Sequence, residues 1–284
     1  MTPLDLLTAW SPNVPGIAVP AVAALLYLLA VLRLRRRGGP WGSWRLVLWL
    51  LSCLLAGWTF AGPPWALRAE SEWMDGIALG VASALLPLGV ALGDPVGLAE
   101  RLRGRPVPLL RNALARAVMF PGVSSAISAI FLTAALTSAW WQPGRTAPLP
   151  WALLLLCAFL AGLLVNLPLL ADDLLPAWAS PGVRTLIAFL DGLFDAIPGI
   201  VVMLTVSEAA GGGLLAVAEA VGIPLIAATL VQWVRADAAE TREVDARLDE
   251  QELHAVLEGQ EPGAGLWWES DPRFQGRYRR DPPG

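Results

Sequence analysis

WMDGIALGVASALLPLGVAL, residues Trp73–Leu92, holds twenty residues and one charge, Asp75. A helix of that length rises about 30 Å, which is the thickness of a bilayer's hydrocarbon core. Six further runs of the same kind flank it: Gly16–Leu34, Trp44–Phe60, Ala117–Trp140, Trp151–Leu170, Thr185–Val206 and Leu214–Val234. Backbone groups in lipid must be satisfied within their own segment, and none of these runs alternates as a barrel strand would. The expected fold class is therefore all-α: a polytopic membrane protein, a bundle of seven transmembrane helices. Residues 1–234 form the transmembrane domain and 235–284 a tail.

The 284 residues are 56% hydrophobic and 15% charged, with a mean hydropathy of +0.57. Soluble domains carry about 25% charged residues. All 20 basic residues are Arg, and 18 of them fall on one side of a seven-span layout: Arg33, Arg35, Arg36, Arg37 and Arg45, then Arg101 to Arg116, then Arg184 and the tail. Only Arg68 and Arg145 fall on the other side. By the positive-inside rule the N-terminus is expected outside and the C-terminus on the cytoplasmic side. The basic cluster follows the first apolar run instead of preceding it, which marks an uncleaved first helix. Trp44, Trp58, Trp73, Trp140, Trp141, Trp151 and Trp233 stand near span ends, where their rings anchor at the headgroups.

The tail reads as a polar helix over Ala236–Gly259, with Glu243 and Arg247 at a favourable i, i+4 spacing, and then a Trp/Arg segment, Trp267–Phe274 with Arg277 to Arg280. That segment suits either the inner membrane surface or disorder. Nothing here forms a soluble basic face, so nucleic acid is not among the expected partners; the lipid bilayer is.

Chemistry has few carriers. Metallohydrolase, serine-hydrolase, phosphate-loop and dinucleotide signatures are all missing, and the single histidine, His254, lies in the tail. No catalytic residue is expected. Pro87, Pro121, Pro198 and Pro224 stand inside predicted spans, where each removes a backbone donor and favours a kink. Carboxylates within spans are functional hypotheses by default. Asp191 and Asp195 lie one turn apart in the sixth run, Glu219 in the seventh and Asp75 in the third, with Asn166 and Cys157 in the fifth. Two functions fit them. Asp191, Asp195, Glu219 and Asn166 would form a polar relay in a proton-coupled or small-solute transporter. Alternatively they pair between helices in a purely structural subunit.

Several segments resemble the seven-span cytochrome c oxidase assembly proteins of the CtaG/Caa3 type, in their actinobacterial form. Leu86-Pro87-Leu88-Gly89-Val90-Ala91-Leu92-Gly93-Asp94-Pro95 is similar to that family's Pro-rich segment ending in Leu-Gly-x-Pro. Phe159-Leu160-Ala161-Gly162 and Phe194-Asp195-Ala196-Ile197-Pro198-Gly199 resemble its fifth- and sixth-span motifs, and Ile223-Pro224-Leu225 through Asp237 its last span and exit. The resemblance implies support of haem-copper oxidase and respiratory-chain biogenesis, with oxidase subunits or other assembly factors as partners and copper as a cofactor. Where the family carries histidines, this chain has Asp75 with Leu79, Cys157 and Asp195. Those positions define the metal set the resemblance implies: Cys157, Asp75 and Asp195. Thiolate suits copper; carboxylates suit harder cations.

Overall fold

A computed structural model describes residues 8–11, 13–105, 117–118, 120–139, 141–170 and 180–257 of the chain. Among these the regular structure is helical, with no strand. Arg111, Arg116, Trp140 and the whole Trp/Arg segment of the tail lie outside the described residues.

The first two apolar runs make an antiparallel pair, α1 (Val14–Arg36) and α2 (Ser43–Ala61). α1 opens with Pro in its first turn and closes on Arg33, Arg35 and Arg36, cations placed where a helix C-terminus favours them. One further turn, Pro63–Ala66, follows α2.

The third run is the centre of the bundle. In its most apolar stretch 61% of residues are buried, against 11–33% in the other long apolar helices. It begins as α3 (Glu72–Gly80), widens to a π segment (Val81–Leu85) and finishes as α4 (Leu86–Gly93). Pro87 explains the widening: it has no N–H to offer the carbonyl of Ser83, four residues back. That carbonyl is met from a neighbouring helix. A Cβ on Gly162 would lie 1.8 Å from Ser83 O and 2.7 Å from Pro87 Cγ. Only glycine lets α8 (Pro148–Leu170) close on the interruption. Higher up, a Cβ on Gly76 would lie 2.0 Å from Ala210 O, so Gly76-x-x-x-Gly80 brings α3 against the last helix in the manner of small-residue contacts in membranes.

At the arginine-rich end, Asp94 leaves α4 with φ 51° and accepts the Gly97 N–H at 2.8 Å, starting α5 (Pro95–Arg103). Asp94 also pairs with Arg45. Arg45 and Arg101 lie 4.8 and 5.2 Å from the Trp41 ring, and Tyr27 stacks on Trp49 while donating to the Gly93 carbonyl. These contacts tie α1, α2, α4 and α5 together at one end.

Seven spans are expected; among the described residues six helices are long and apolar enough to cross a membrane. The difference lies in the fourth run. Its helix, α6 (Pro121–Thr137), has 17 residues. Pro121 stands in its first turn, where a missing N–H costs nothing, so this proline opens a helix instead of kinking one. Pro198 and Pro224 do lie inside helices, as does Pro20 of α1.

α7 (Trp141–Thr146), α8, α9 (Pro181–Thr205) and α10 (Glu208–Leu257) complete the order. The chain divides into two compact units at Val231 and Gln232. The first contains α1 to α9 and the start of α10. The second is described as far as Leu257, is helical and exposed, and carries the Glu243–Arg247 contact at 2.6 Å.

Candidate functional site

The end of the bundle opposite Asp94 and Arg45 gathers four charged residues. Glu72 and Asp75 belong to the first turn of α3, where the free N–H groups favour negative charge. Arg145 comes from α7. Its Nη1 lies 2.9 Å from Glu72 Oε1 and its Nη2 2.6 Å from Asp75 Oδ2, while Nε donates to the Arg68 carbonyl at 3.2 Å. All sides of the guanidinium fork are used. Asp75 is fully buried and the Arg145 side chain is 6% exposed; Glu72 reaches outward, at 39%.

Two further elements join at Glu72. Ser207, in the turn between α9 and α10, donates its hydroxyl to that carboxylate and accepts the Ala210 N–H at 3.2 Å. One acidic side chain thus links α3, α7 and the start of α10. Arg68 donates to the Trp65 carbonyl at 2.6 Å and lies over the Trp65 ring. Trp141 lies 5.8 Å from the Arg145 guanidinium and 6.0 Å from the ring of fully buried Trp151. Beneath them Leu79, Leu136 and Leu155 form an apolar floor. A cleft of about 280 Å³ opens beside Trp141, lined by Ala135, Ser138, Pro143 and Leu154 among others. A buried pair such as Arg145–Asp75 holds its geometry tightly, because losing either member strands a charge.

A second polar seam runs between α6 and α9. Ser124, Ser125 and Ser128 are buried on α6. Ser125 donates to Asp191, which is 6% exposed; Asp195, one turn on, is half-buried. Neither carboxylate has a cationic partner among the described residues.

The sequence-predicted site residues fall in separate places. Asp191 and Asp195 share the α6–α9 seam. Asp75 is committed to Arg145. Asn166 donates to the Gly162 carbonyl, 2.9 Å away within its own helix, and makes no bond across helices among those described. Cys157 is exposed on α8, and Glu219 is exposed on α10. The donor set does not fit a copper centre: Cys157, Asp75 and Asp195 lie apart in these three settings. Among the described residues no three His, Cys, Asp or Glu side chains come together as metal ligands would.

Sequence reasoning passed over Arg145, Glu72, Ser207 and Ser125. The signal for the first was present, because Arg68 and Arg145 were the two basic residues on the wrong side of the charge pattern. The serines carried a weaker one, an i, i+1, i+4 spacing on an otherwise apolar helix.

The family model described as cytochrome c oxidase caa3 assembly factor matches residues 25–236, from within α1 to just beyond the apolar part of α10. No curated protein and no solved structure matches the chain.

Proposed function

The chain belongs to the cytochrome c oxidase caa3 assembly factors, and from that membership we propose that it supports haem-copper oxidase biogenesis as a membrane scaffold, not as a carrier of copper. The match across residues 25–236 carries this reading, because it spans the apolar bundle and not one motif. The scaffold acts without covalent catalysis, on oxidase subunits or other assembly factors. It sits in the bacterial plasma membrane with seven spans, its N-terminus outside and its C-terminus cytoplasmic.

What supports counting α6 as the seventh span is the position of its two flanks. Before it, Arg101 of α5 bonds the Pro40 carbonyl at the arginine-rich end. After it, Arg145 of α7 meets Glu72 and Asp75 at the opposite end. The 18-to-2 distribution of Arg supports the orientation.

Deleting the gene should lower both the activity and the membrane content of haem-copper oxidase; unchanged oxidase content would count decisively against the assembly role. Protein purified after Cu(I) loading should hold far less than one copper per chain, and equally little in Cys157→Ala. Stoichiometric copper lost in Cys157→Ala would replace the scaffold reading with copper delivery.

A second reading rests on Asp191 and Asp195, which share a seam with buried serines and no described cation. They could bind protons during transport. Proteoliposomes showing proton-linked flux that Asp195→Asn abolishes would favour it, and silent vesicles would end it.

A further inference from the structure

Glu219 is the only charged residue of α10 between Glu208 and Arg235. At 1.5 Å per residue, about 16 Å of helix separate it from the first and about 24 Å from the second. It therefore stands deep in an apolar span. The side chain is nonetheless exposed, and none of the hydrogen bonds or ion pairs among the described residues involves it. Other carboxylates within the spans are sheltered: Asp75 and Asp191 are buried, and Asp195 is half-buried.

The surroundings of Glu219 form one continuous face. Ala216, Ala220, Ile223 and Ala227 are exposed with it, at the spacing of a single helical stripe. The opposite face of α10 does the packing within this chain. There Ala210 meets Gly76 of α3, and Gly211 approaches Met203 of α9. Lipid is a poor neighbour for a carboxylate, and ionisable side chains in spans face a protein partner or a polar cavity. Small residues beside a polar one are the surface on which membrane helices approach closely.

We propose that this stripe docks a transmembrane helix of another membrane protein, and that the docking helix carries an Arg or Lys side chain at the depth of Glu219. The charge decides between occupants. Among the described residues a second copy of this chain offers no such cation, because the arginines there lie at the ends of the spans and not within them. A two-fold contact along the stripe would set Glu219 against Glu219 in hydrocarbon. A foreign helix with one basic residue satisfies the carboxylate and seats its backbone against Ala216 and Ala220. This inference rests on the assembly role and names the chemistry of its partner.

The test places a benzoylphenyl photocrosslinker at Ala220 of the full-length chain in its native membrane. Illumination should yield an adduct with one membrane protein, identified by mass spectrometry, whose crosslinked span contains Arg or Lys. Glu219→Leu should reduce that adduct by at least about tenfold. It should also leave thermal unfolding of the purified chain unchanged, because the side chain is exposed and bonds no described residue. Glu219→Lys combined with the partner's basic residue changed to Glu should restore the adduct.

Adducts with lipid alone, with a second copy of the chain, or with a span lacking a basic residue would each overturn the proposal. So would an adduct indifferent to Glu219→Leu. Those failures are distinct from failure of the assembly role. Gene deletion that spares oxidase content ends that role whatever the crosslink shows.

Discussion

Arg145→Gln removes the cation that Asp75 and Glu72 share and leaves the fully buried Asp75 carboxylate without its charge partner. Two unit charges about 4 Å apart attract by roughly 4 kcal/mol at an effective dielectric near 20. Breaking a buried pair by deleting one member costs about 3–5 kcal/mol, since the stranded charge stays desolvated. At roughly 2–4 °C per kcal/mol, the melting temperature of the purified protein in detergent should fall by roughly 6–20 °C. Glu72→Gln is the internal comparison. That side chain is 39% exposed, so its pair with Arg145 is worth no more than about 1 kcal/mol. Adding Asp75→Asn to Arg145→Gln removes the stranded charge and should recover more than half of the loss. The measurement is thermal unfolding of the four proteins side by side. If Arg145→Gln melts within about 1 kcal/mol of the parent, or if Asp75→Asn deepens its loss additively, the pair is not the buried anchor described above.

Gly162→Ala forces a Cβ to within 1.8 Å of the Ser83 carbonyl and should destabilise the protein by about 1–3 kcal/mol in the same unfolding assay. Gly57→Ala is its control: a Cβ there meets nothing within 4 Å, so the gain in helix propensity should stabilise α2 by about 0.5–1 kcal/mol. Ser125→Ala removes the hydroxyl that donates to Asp191 and should cost about 1.5–3 kcal/mol, with Ser125→Thr recovering part of it. No change on Ser125→Ala would mean that the seam is held by apolar packing alone.

The spans were legible because their positions follow from length and hydropathy. The expectation Gly16–Leu34 became Val14–Arg36, and Trp44–Phe60 became Ser43–Ala61. Larger errors arose where local chemistry overrode the apolar pattern. Ala117–Trp140 reads as one hydrophobic run, but Pro121 is a better start for a helix than an interior residue, and Ser138 follows its last turn. At the other end of the chain, the polar helix expected from Ala236 is continuous with the last span, because no Pro or Gly stands between Pro224 and Leu257 to break it.

The site was legible in depth and illegible in azimuth. Counting residues along a seven-span layout puts Asp75, Cys157, Asp195 and Glu219 in the same half of the bundle, but a shared depth does not bring side chains together. Which way each one points is decided by contacts that no count reveals. Gly76 against Ala210 turns one face of α10 inward, and Glu219 is left on the other. Cys157 stands five residues before Gly162, the point where α8 closes on Pro87, and is exposed. The charge pattern held the missing information. In the seven-span layout proposed above, eighteen arginines gather on one side, and the two that do not, Arg68 and Arg145, lie beside Glu72 and Asp75. An arginine that departs from the charge pattern of a membrane protein needs a reason, and a buried carboxylate within reach supplies one. The exceptions to the topology rule were therefore the sequence's most direct pointers to the ion-pair cluster.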